Sequence, residues 1–202
     1  MKKFLMLFLF IVFIPNSHAD IFLEPHLSLG IIGDATESGG GNKEYDTSDV
    51  NLGLKAGYSV MMFNFGIDYT IGQQTWEIEA PSNAAGLGLK EEFDSRTWGL
   101  FGGVEFPILL RAWVTYYFDA KLEDTNENPT FDKDDELSGS GFGLGLGYTL
   151  LPLLSINIEY RSFTYDTFKD NSSGEKLNLP TGSTGEFEHS QIYVGISLPI
   201  TI

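Results

Sequence analysis

The sequence predicts an all-β fold: an eight-stranded antiparallel up-and-down β-barrel that spans a membrane. One observation is a pattern of period two, which recurs in eight segments between residues 20 and 202. A period of two indicates a β-strand because successive side chains point to opposite faces of a sheet. The other observation is that short and long connections alternate between these segments. All the long connections therefore fall at the same end of the strands.

The hairpin from Ser138 to Arg161 shows most clearly which face of the strands meets lipid. Its first arm alternates large apolar residues with glycine, and its second arm alternates large apolar residues with polar and charged ones. The apolar residues are Phe142, Leu144, Leu146, Tyr148, Leu154, Ile156, Ile158 and Tyr160. A row of glycines packs nothing against water, but it suits a crowded interior. The pattern therefore favours an apolar face toward lipid and a small or charged face toward a narrow lumen.

The other six segments repeat this alternation. We predict strands at about 21–31, 50–60, 63–72, 95–106, 110–122 and 191–202, in addition to the two arms of the hairpin. The short connections are near 61–62, 107–108 and 151–152, and the long ones lie at 33–48, 73–93, 123–136 and 167–188. Short turns at one end and long loops at the other are typical of barrels in a bacterial outer membrane.

The first 19 residues have the pattern of a cleaved secretory signal peptide. Two lysines precede an apolar run at 4–14, and residues 17–19 form a small-x-small cleavage site. The apolar run is too short to span a bilayer as a helix. We therefore predict that residues 1–19 are removed and that residues 20–202 form an exported transmembrane barrel domain. The sequence has no cysteine, which excludes disulfide bonds.

The predicted mature chain is strongly acidic. Without Lys2 and Lys3 it holds 10 basic and 28 acidic residues, a net charge of −18. This charge argues against nucleic acid as a partner and against binding to anionic lipid headgroups by charge alone. Because the inward-facing charges nearly balance, the acidic excess falls in the long connections.

Nine charged residues face the lumen by the parity of their strands, five of them acidic and four basic. They are Glu24, Lys55, Asp68, Glu105, Arg111, Asp119, Lys121, Glu159 and Arg161. An eight-stranded barrel has an interior just wide enough for side chains to fill, and an unpaired charge there is costly. We expect Glu105 to pair with Arg111, and Lys55 to pair with Glu24 or Asp68. A paired and filled lumen is a plug, which argues against a wide pore.

Together these features resemble the small outer-membrane barrels typified by the barrel domain of outer-membrane protein A. The resemblance covers residues 20–202 and rests on architecture rather than on a catalytic motif. It implies a location in the outer membrane of a Gram-negative bacterium, contact with outer-membrane lipid and lipopolysaccharide, and recognition by the barrel-insertion machinery. Such barrels usually end in an aromatic residue, whereas the alternating Leu198, Ile200 and Ile202 end this chain in isoleucine.

One long connection contains a candidate weak cation site. Its members carry oxygen ligands at spacings that resemble those of a calcium-binding loop. They are Asp124, Asn126, Asn128, Asp132 and Asp135. Pro129 stands where the sharp turn of such a loop needs glycine. We therefore expect neither a dedicated metal site nor a cofactor. A solvated surface of mutually repelling carboxylates is the favoured interpretation, and diffuse association of divalent cations that bridge the acidic loops to lipopolysaccharide is the alternative.

The sequence favours a non-enzymatic protein that serves envelope integrity or surface interaction through its external loops. A narrow channel for ions or small solutes is the main alternative. A lipid-modifying enzyme is less favoured. Glu24, His26 and Ser28 share one face of the first strand, but residues two apart on a strand are roughly 6–7 Å apart, too far for a hydrogen bond. The glycine rows and apolar turns disfavour a soluble lipocalin-type barrel.

Overall fold

A computed structural model describes residues 19–38, 43–80, 88–125, 133–151, 153–180 and 185–202. In these ranges the regular structure is entirely β-strand. The strands are β1 (Asp20–Ser38), β2 (Glu44–Val60), β3 (Phe63–Ala80), β4 (Lys90–Glu105), β5 (Leu110–Asp124), β6 (Glu136–Leu151), β7 (Leu154–Lys169), β8 (Lys176–Asn178), β9 (Glu186–Ser197) and β10 (Ile200–Thr201). None of the described residues belongs to a helix long and apolar enough to cross a membrane.

Eight of these strands close into a barrel. Each strand from β1 to β7 pairs antiparallel with the next, and β9 pairs with both β7 and β1, which completes the ring. The short β10 continues β9 and also pairs with β1, while β8 adds a short segment at the end of β7. At the seam Pro25 has no N–H to donate, but its carbonyl accepts from Leu198 N at 3.0 Å. The predicted eight-stranded antiparallel barrel is confirmed.

The strands are longer than the sequence predicted. The long connections were expected to begin near residues 33 and 73, yet β1 continues to Ser38 and β3 to Ala80. The reason is that the alternation of period two continues into these segments with its polarity reversed. On β3, Gln73, Thr75 and Glu77 point outward, whereas Trp76 and Ile78 are buried inside.

The lower part of the barrel carries an apolar outer surface, which we call the lipid-facing belt. Its side chains stand about half exposed in the isolated chain, between 42% and 57%. Representative members from the eight barrel strands are Leu27, Leu52, Ile67, Leu100, Val114, Leu144, Ile158 and Ile196. A monomeric soluble protein rarely exposes so large a contiguous apolar surface. This surface fits a bilayer, in which the closed ring also satisfies every strand's backbone hydrogen bonds.

The upper part of the barrel encloses an apolar core, which we call the aromatic cap. Its members are at most 8% exposed: Ala35, Tyr45, Trp76, Ile78, Phe93, Tyr117, Ala120, Leu122, Leu137, Phe163, Tyr165, Leu179 and Phe187. Trp76 lies at the centre, with its ring centroid 5.5 Å from that of Tyr45, 5.2 Å from Phe93 and 6.2 Å from Phe187. The outer face at this height is polar, so the burial pattern is that of a water-soluble β protein.

The glycine row of β6 makes room for bulky lumen side chains. Gly143, Gly145 and Gly147 are buried and face inward. A Cβ atom built on Gly145 would overlap the indole ring of Trp113 on the neighbouring strand β5. By contrast, a Cβ atom on Gly102 of β4 would have no atom within 4 Å. The glycine row is therefore a steric requirement of the filled lumen.

These two glycines give a matched test of the filled interior. Gly145→Ala should lower the free energy of unfolding by about 1–3 kcal/mol, because the added methyl group must displace a ring held on all sides. Gly102→Ala should change it by less than about 0.5 kcal/mol. Urea titration of the refolded protein in lipid vesicles measures both. Equal effects at the two positions would contradict the assignment of β6 to a crowded lumen.

Candidate functional site

The lumen is the candidate functional site, and its lowest element is an ion-pair clamp across the barrel. Arg111 on β5 donates to both carboxylate oxygens of Glu24 on β1, with Nη1–Oε1 at 2.8 Å and Nη2–Oε2 at 2.6 Å. Its Nε also donates to Glu105 Oε1 at 3.1 Å. Since β1 and β5 stand four strands apart in a ring of eight, the clamp crosses the lumen from wall to wall.

A second cluster lies directly above the clamp. Asp68 is fully buried, with Lys55 Nζ 3.5 Å from its Oδ2 and His26 Nε2 3.3 Å from its Oδ1. Thr70 also donates to Asp68 Oδ1 at 3.3 Å. Lys55 Nζ lies 5.0 Å from the centroid of the Trp113 ring, within the range of a cation–π interaction. Every charge in this layer therefore has an opposite charge or a π face beside it.

A third cluster contains the buried pair Arg161 and Glu159. Arg161 Nε donates to Glu159 Oε1 at 3.0 Å, and the same oxygen accepts from Tyr117 OH at 3.0 Å. The guanidinium carbon lies 4.6 Å from the ring centroid of Tyr193 and 5.4 Å from that of Tyr117. Two aromatic faces thus flank the guanidinium group. They fill space that water would otherwise occupy.

A fourth cluster surrounds Asp49, which the sequence analysis missed. Its Oδ2 accepts from Tyr193 OH at 2.6 Å, from Gln74 Nε2 at 3.1 Å and from Asn51 Nδ2 at 3.1 Å. The sequence did indicate the inward orientation of Asp49, because the neighbouring Val50 faces outward and successive residues of a strand face opposite sides. Asp49 stood just before the predicted strand, and its partners Tyr193 and Gln74 are uncharged. An inventory of charges could not identify them.

The structure places seven of the nine predicted lumen charges inside the barrel, and it corrects the other two. Lys121 was expected to face inward, but it lies on the outer surface, where its Nζ is 2.9 Å from Glu136 Oε1. Asp119 is half-buried at a β-bulge of β5 and takes no part in the clusters above. The cause is the shift of register between Tyr117 and Ala120, which adds one residue and reverses the parity of the strand beyond it.

The candidate cation site is described only in part. Asn126, Asn128 and Asp132 lie outside the described residues. Asp124 and Asp135 are both buried, and Asp124 N donates to the Asp135 carbonyl oxygen at 2.9 Å. Asp135 Oδ1 also accepts from the backbone N of Asn171 at 3.0 Å. Within the described ranges, no three His, Cys, Asp or Glu side chains form a group that could hold a metal ion.

Little space remains between the lumen clusters. A cavity between Glu24, Lys55 and Arg111 has a volume of about 10 Å³, and another between His26, Trp113 and Tyr193 has the same volume. Each is about the size of a single water molecule. Each of these two cavities can hold a water molecule, and neither has room for a solute.

The aromatic cap adds an apolar layer above the polar clusters. His189, which lies beside the cap, stacks on Phe163 with ring centroids 6.1 Å apart and lies 5.7 Å from the centroid of Trp76. Burial lowers the pKa of His189 to about 4, although the hydrogen bond with Gln191 acts in the opposite direction. His189 is therefore uncharged at neutral pH, whereas the side chains of Glu37 and Glu91 are buried beside the cap.

The comparison with protein families agrees with this architecture. The family model described as "Outer membrane protein beta-barrel domain" matches residues 4–198. The chain belongs to this family. It is an integral β-barrel protein of the outer membrane, as the sequence predicted. No curated protein matches the chain.

Several solved structures of outer-membrane proteins are similar to this chain at low sequence identity. The outer membrane protein AlkL, determined in lipid bilayers, is 13% identical with a TM-score of 0.51, and the match covers 93% of each chain. The attachment invasion locus protein Ail of Yersinia pestis is 10% identical with a TM-score of 0.48, over 92% of this chain and 100% of that chain. Neisserial surface protein A is 15% identical with a TM-score of 0.47, over 90% and 98%. At such identities the likeness is one of fold.

The clamp generates a testable prediction. Arg111→Met leaves Glu24 buried without its bidentate partner and should lower the free energy of unfolding by about 3–5 kcal/mol. Adding Glu24→Gln should restore a large part of this loss, since the uncompensated charge is removed. Lys90→Met is the control, because its pair with Glu77 is exposed and should contribute less than about 0.5 kcal/mol. Urea titrations in vesicles that show similar losses for Arg111→Met and Lys90→Met would exclude a clamp.

Proposed function

We propose that this outer-membrane protein is a sealed, non-enzymatic barrel that serves envelope integrity or surface interaction through its acidic external part. The main support for this proposal is that two different layers of side chains fill the interior of the barrel. Ion pairs occupy the lumen inside the lipid-facing belt, and the aromatic cap occupies the space above it. A transport function would require both layers to move aside.

The two layers oppose permeation for different reasons. A solute that enters from below must break the clamp of Arg111, Glu24 and Glu105, which leaves buried charges unpaired. An ion that enters from above must cross the tightly packed apolar side chains around Trp76, where it loses its hydration. These costs support a structural or surface role over the alternative of a narrow channel.

The lumen arrangement also weighs against a lipid-modifying enzyme. His26 and Ser28 are both buried inside the barrel, at 6% and 7% exposure. His26 bonds with Asp68, and Ser28 Oγ has no hydrogen-bond partner. A lipid acyl chain lies outside the strand wall and cannot reach either side chain. The residues that resembled an acid, a base and a nucleophile thus belong to the lumen packing.

The outer surface offers a contact for lipopolysaccharide at the upper edge of the belt. Arg96 and Lys121 are register partners on β4 and β5, and they lie just beyond the outward Trp98 and Phe118. Arg96 is exposed, and Lys121 forms an ion pair with Glu136. Cationic side chains at this height meet the phosphate groups of a lipid whose acyl chains cover the belt.

A groove on the outer wall is lined both by apolar side chains of the belt and by charged side chains above it. Its volume is about 560 Å³. Apolar residues such as Leu52 and Ile71 line one part, and Asp94, Arg96 and Lys121 line another. This combination fits an amphipathic molecule with a phosphorylated head, and we propose lipopolysaccharide as its occupant.

Within the described residues, the row of carboxylates just above Arg96 and Lys121 does not form a metal-coordinating group, but its charge attracts divalent cations diffusely. Asp94, Glu123 and Glu136 are direct neighbours across β4, β5 and β6. Burial tends to raise the pKa of Glu136, but hydrogen bonds from Lys121 and Ser138 outweigh burial and lower it, so the carboxylate is ionised at neutral pH. Adjacent like charges repel one another, and a cation shared with lipid phosphate relieves this repulsion.

The C-terminal end of the barrel is the proposed signal for the insertion machinery. Leu198, Ile200 and Ile202 alternate with Pro199 and Thr201 after the end of β9. Ile202 N donates to the Ile21 carbonyl oxygen at 2.9 Å, so this end is part of the finished seam. The net charge gives no support to nucleic acid as a partner.

We predict that the sealed lumen does not conduct ions. Refolded protein in a planar bilayer should show no steady conductance at neutral pH, because neither layer leaves a continuous aqueous path. An open porin of 16 or more strands in the same bilayer is the positive control. A steady opening of the wild-type protein would overturn the sealed barrel and favour the narrow channel.

The groove predicts a phosphate-dependent affinity. The double variant Arg96→Gln with Lys121→Gln should bind phosphorylated lipid A about 30-fold more weakly than the wild type, since each of the two cations near a lipid surface contributes about 1 kcal/mol. Lys90→Gln with Lys176→Gln removes the same charge elsewhere and should change binding less than about twofold. Titration of detergent-solubilised protein with phosphorylated and dephosphorylated lipid A measures both pairs. Equal affinity for the two lipids would contradict the proposed contact.

A further inference from the structure

The turns at the lower end of the barrel are apolar and exposed, and nothing in the proposed function accounts for them. We call this set of turn residues the collar. Its members are Met61, Met62, Ile108, Leu109, Leu151 and Leu153, with exposures of 78%, 41%, 67%, 51%, 60% and 57%. The turn segments 61–62, 106–110 and 150–154 contain no charged residue. Turns that project into water normally carry polar residues together with glycine, asparagine or aspartate.

The backbone of two turns makes this choice of residues more unusual. Met61 has φ of 59° and Leu109 has φ of 66°, both in the left-handed region. Glycine or asparagine occupies such positions at lower cost, because a large side chain there crowds the following carbonyl group. Apolar side chains nevertheless occupy the tips of these turns. Surroundings that are apolar at this level would explain why large apolar residues stand where glycine or asparagine is usual.

The height of the belt identifies that environment. On β3 the outward face is apolar from Phe63 to Ile71 and polar from Gln73 upward. At about 3.3 Å per residue and a tilt of about 40°, these residues span about 20 Å. The turn at Met61 and Met62 adds a further apolar level below Phe63, toward the height of about 25 Å that the apolar band of an outer-membrane barrel has. On β3 the apolar surface approaches that height only when the turn is included.

The shape of the collar favours lipid over a protein partner. The collar contains residues from all three lower turns, and the exposed Ile202 (73%) extends it at the C-terminal end of the seam. It is continuous with the belt above it, which already faces lipid. A protein partner would have to encircle the barrel to cover the same surface, whereas acyl chains do so without any specific fit.

We propose that the collar is immersed in the acyl chains of inner-leaflet phospholipids, so that the lower turns do not project into the periplasm. The lower mouth of the lumen then lies at the level of the phospholipid headgroups. Glu105 stands at this mouth with 40% of its side chain exposed, and it therefore meets headgroups and interfacial water. The barrel is thereby placed low in the bilayer, with its extended upper part outside the cell.

Single labels can test this placement because the chain has no cysteine. An environment-sensitive fluorophore is attached to Ile108→Cys in the collar, to Leu144→Cys in the middle of the belt, and to Ser48→Cys above it. Each purified variant is refolded into phosphatidylcholine vesicles with and without bromine on the acyl chains. The label at 108 should show a blue-shifted emission and be quenched at least about half as strongly as the label at 144. The label at 48 should show neither effect.

A water-like emission at 108, without quenching by brominated chains, would overturn the proposal. Leu151→Cys, on a different turn, repeats the measurement if the variant at 108 fails to fold. A label that is exposed in pure vesicles but shielded in native outer membranes would identify a protein partner and would also overturn the proposal. These outcomes are independent of conductance and of lipid A binding, so the sealed barrel and the collar succeed or fail separately.

Discussion

A ring of eight strands in lipid leaves an interior only as wide as its own side chains, and this constraint governs the rest of the structure. Water cannot enter freely to solvate a charge, so the inward carboxylates of the clusters are paired with basic or hydrogen-bonding side chains, most of them on other strands. Arg111 therefore reaches across the ring to Glu24, and Asp68 is shared by Lys55 and His26. The same shortage of space requires glycine opposite Trp113.

The polarity of both faces reverses at about the same height. Below it, lipid surrounds the barrel and the polar groups are inside. Above it, water surrounds the barrel, and Trp76 and its neighbours form an apolar core. The hydrophobic effect removes apolar side chains from water. Where lipid surrounds the barrel, the apolar side chains lie on its outer face, and where water surrounds it, they lie on its inner face. The sealed lumen is a consequence of this reversal, because the core that stabilises the upper barrel also closes it.

The number of barrel strands, their order and the face on which most residues lie could be predicted from the sequence, because the alternation of period two is a local pattern. The sequence did not contain the partners across the ring. Glu24 and Arg111 are 87 positions apart, and only closure and register bring them together. The error at Lys121 has a local cause, since one extra residue in a bulge reverses the parity without any mark in the alternation before it. The aromatic cap was missed because segments such as Gln74–Ile78 were assigned to loops, although their alternation continued.

The central claim is that the membrane surface lies where the two faces exchange polarity. Spin labels placed one at a time along β3 in vesicles test it directly, with oxygen and a water-soluble nickel complex as the two relaxing agents. We expect oxygen to dominate at the outward positions 67, 69 and 71, and nickel to dominate at 73, 75 and 77. Labels at the inward positions 70 and 74 should be reached by neither agent. Nickel access at position 70, or oxygen dominance that persists to position 77, would contradict the account.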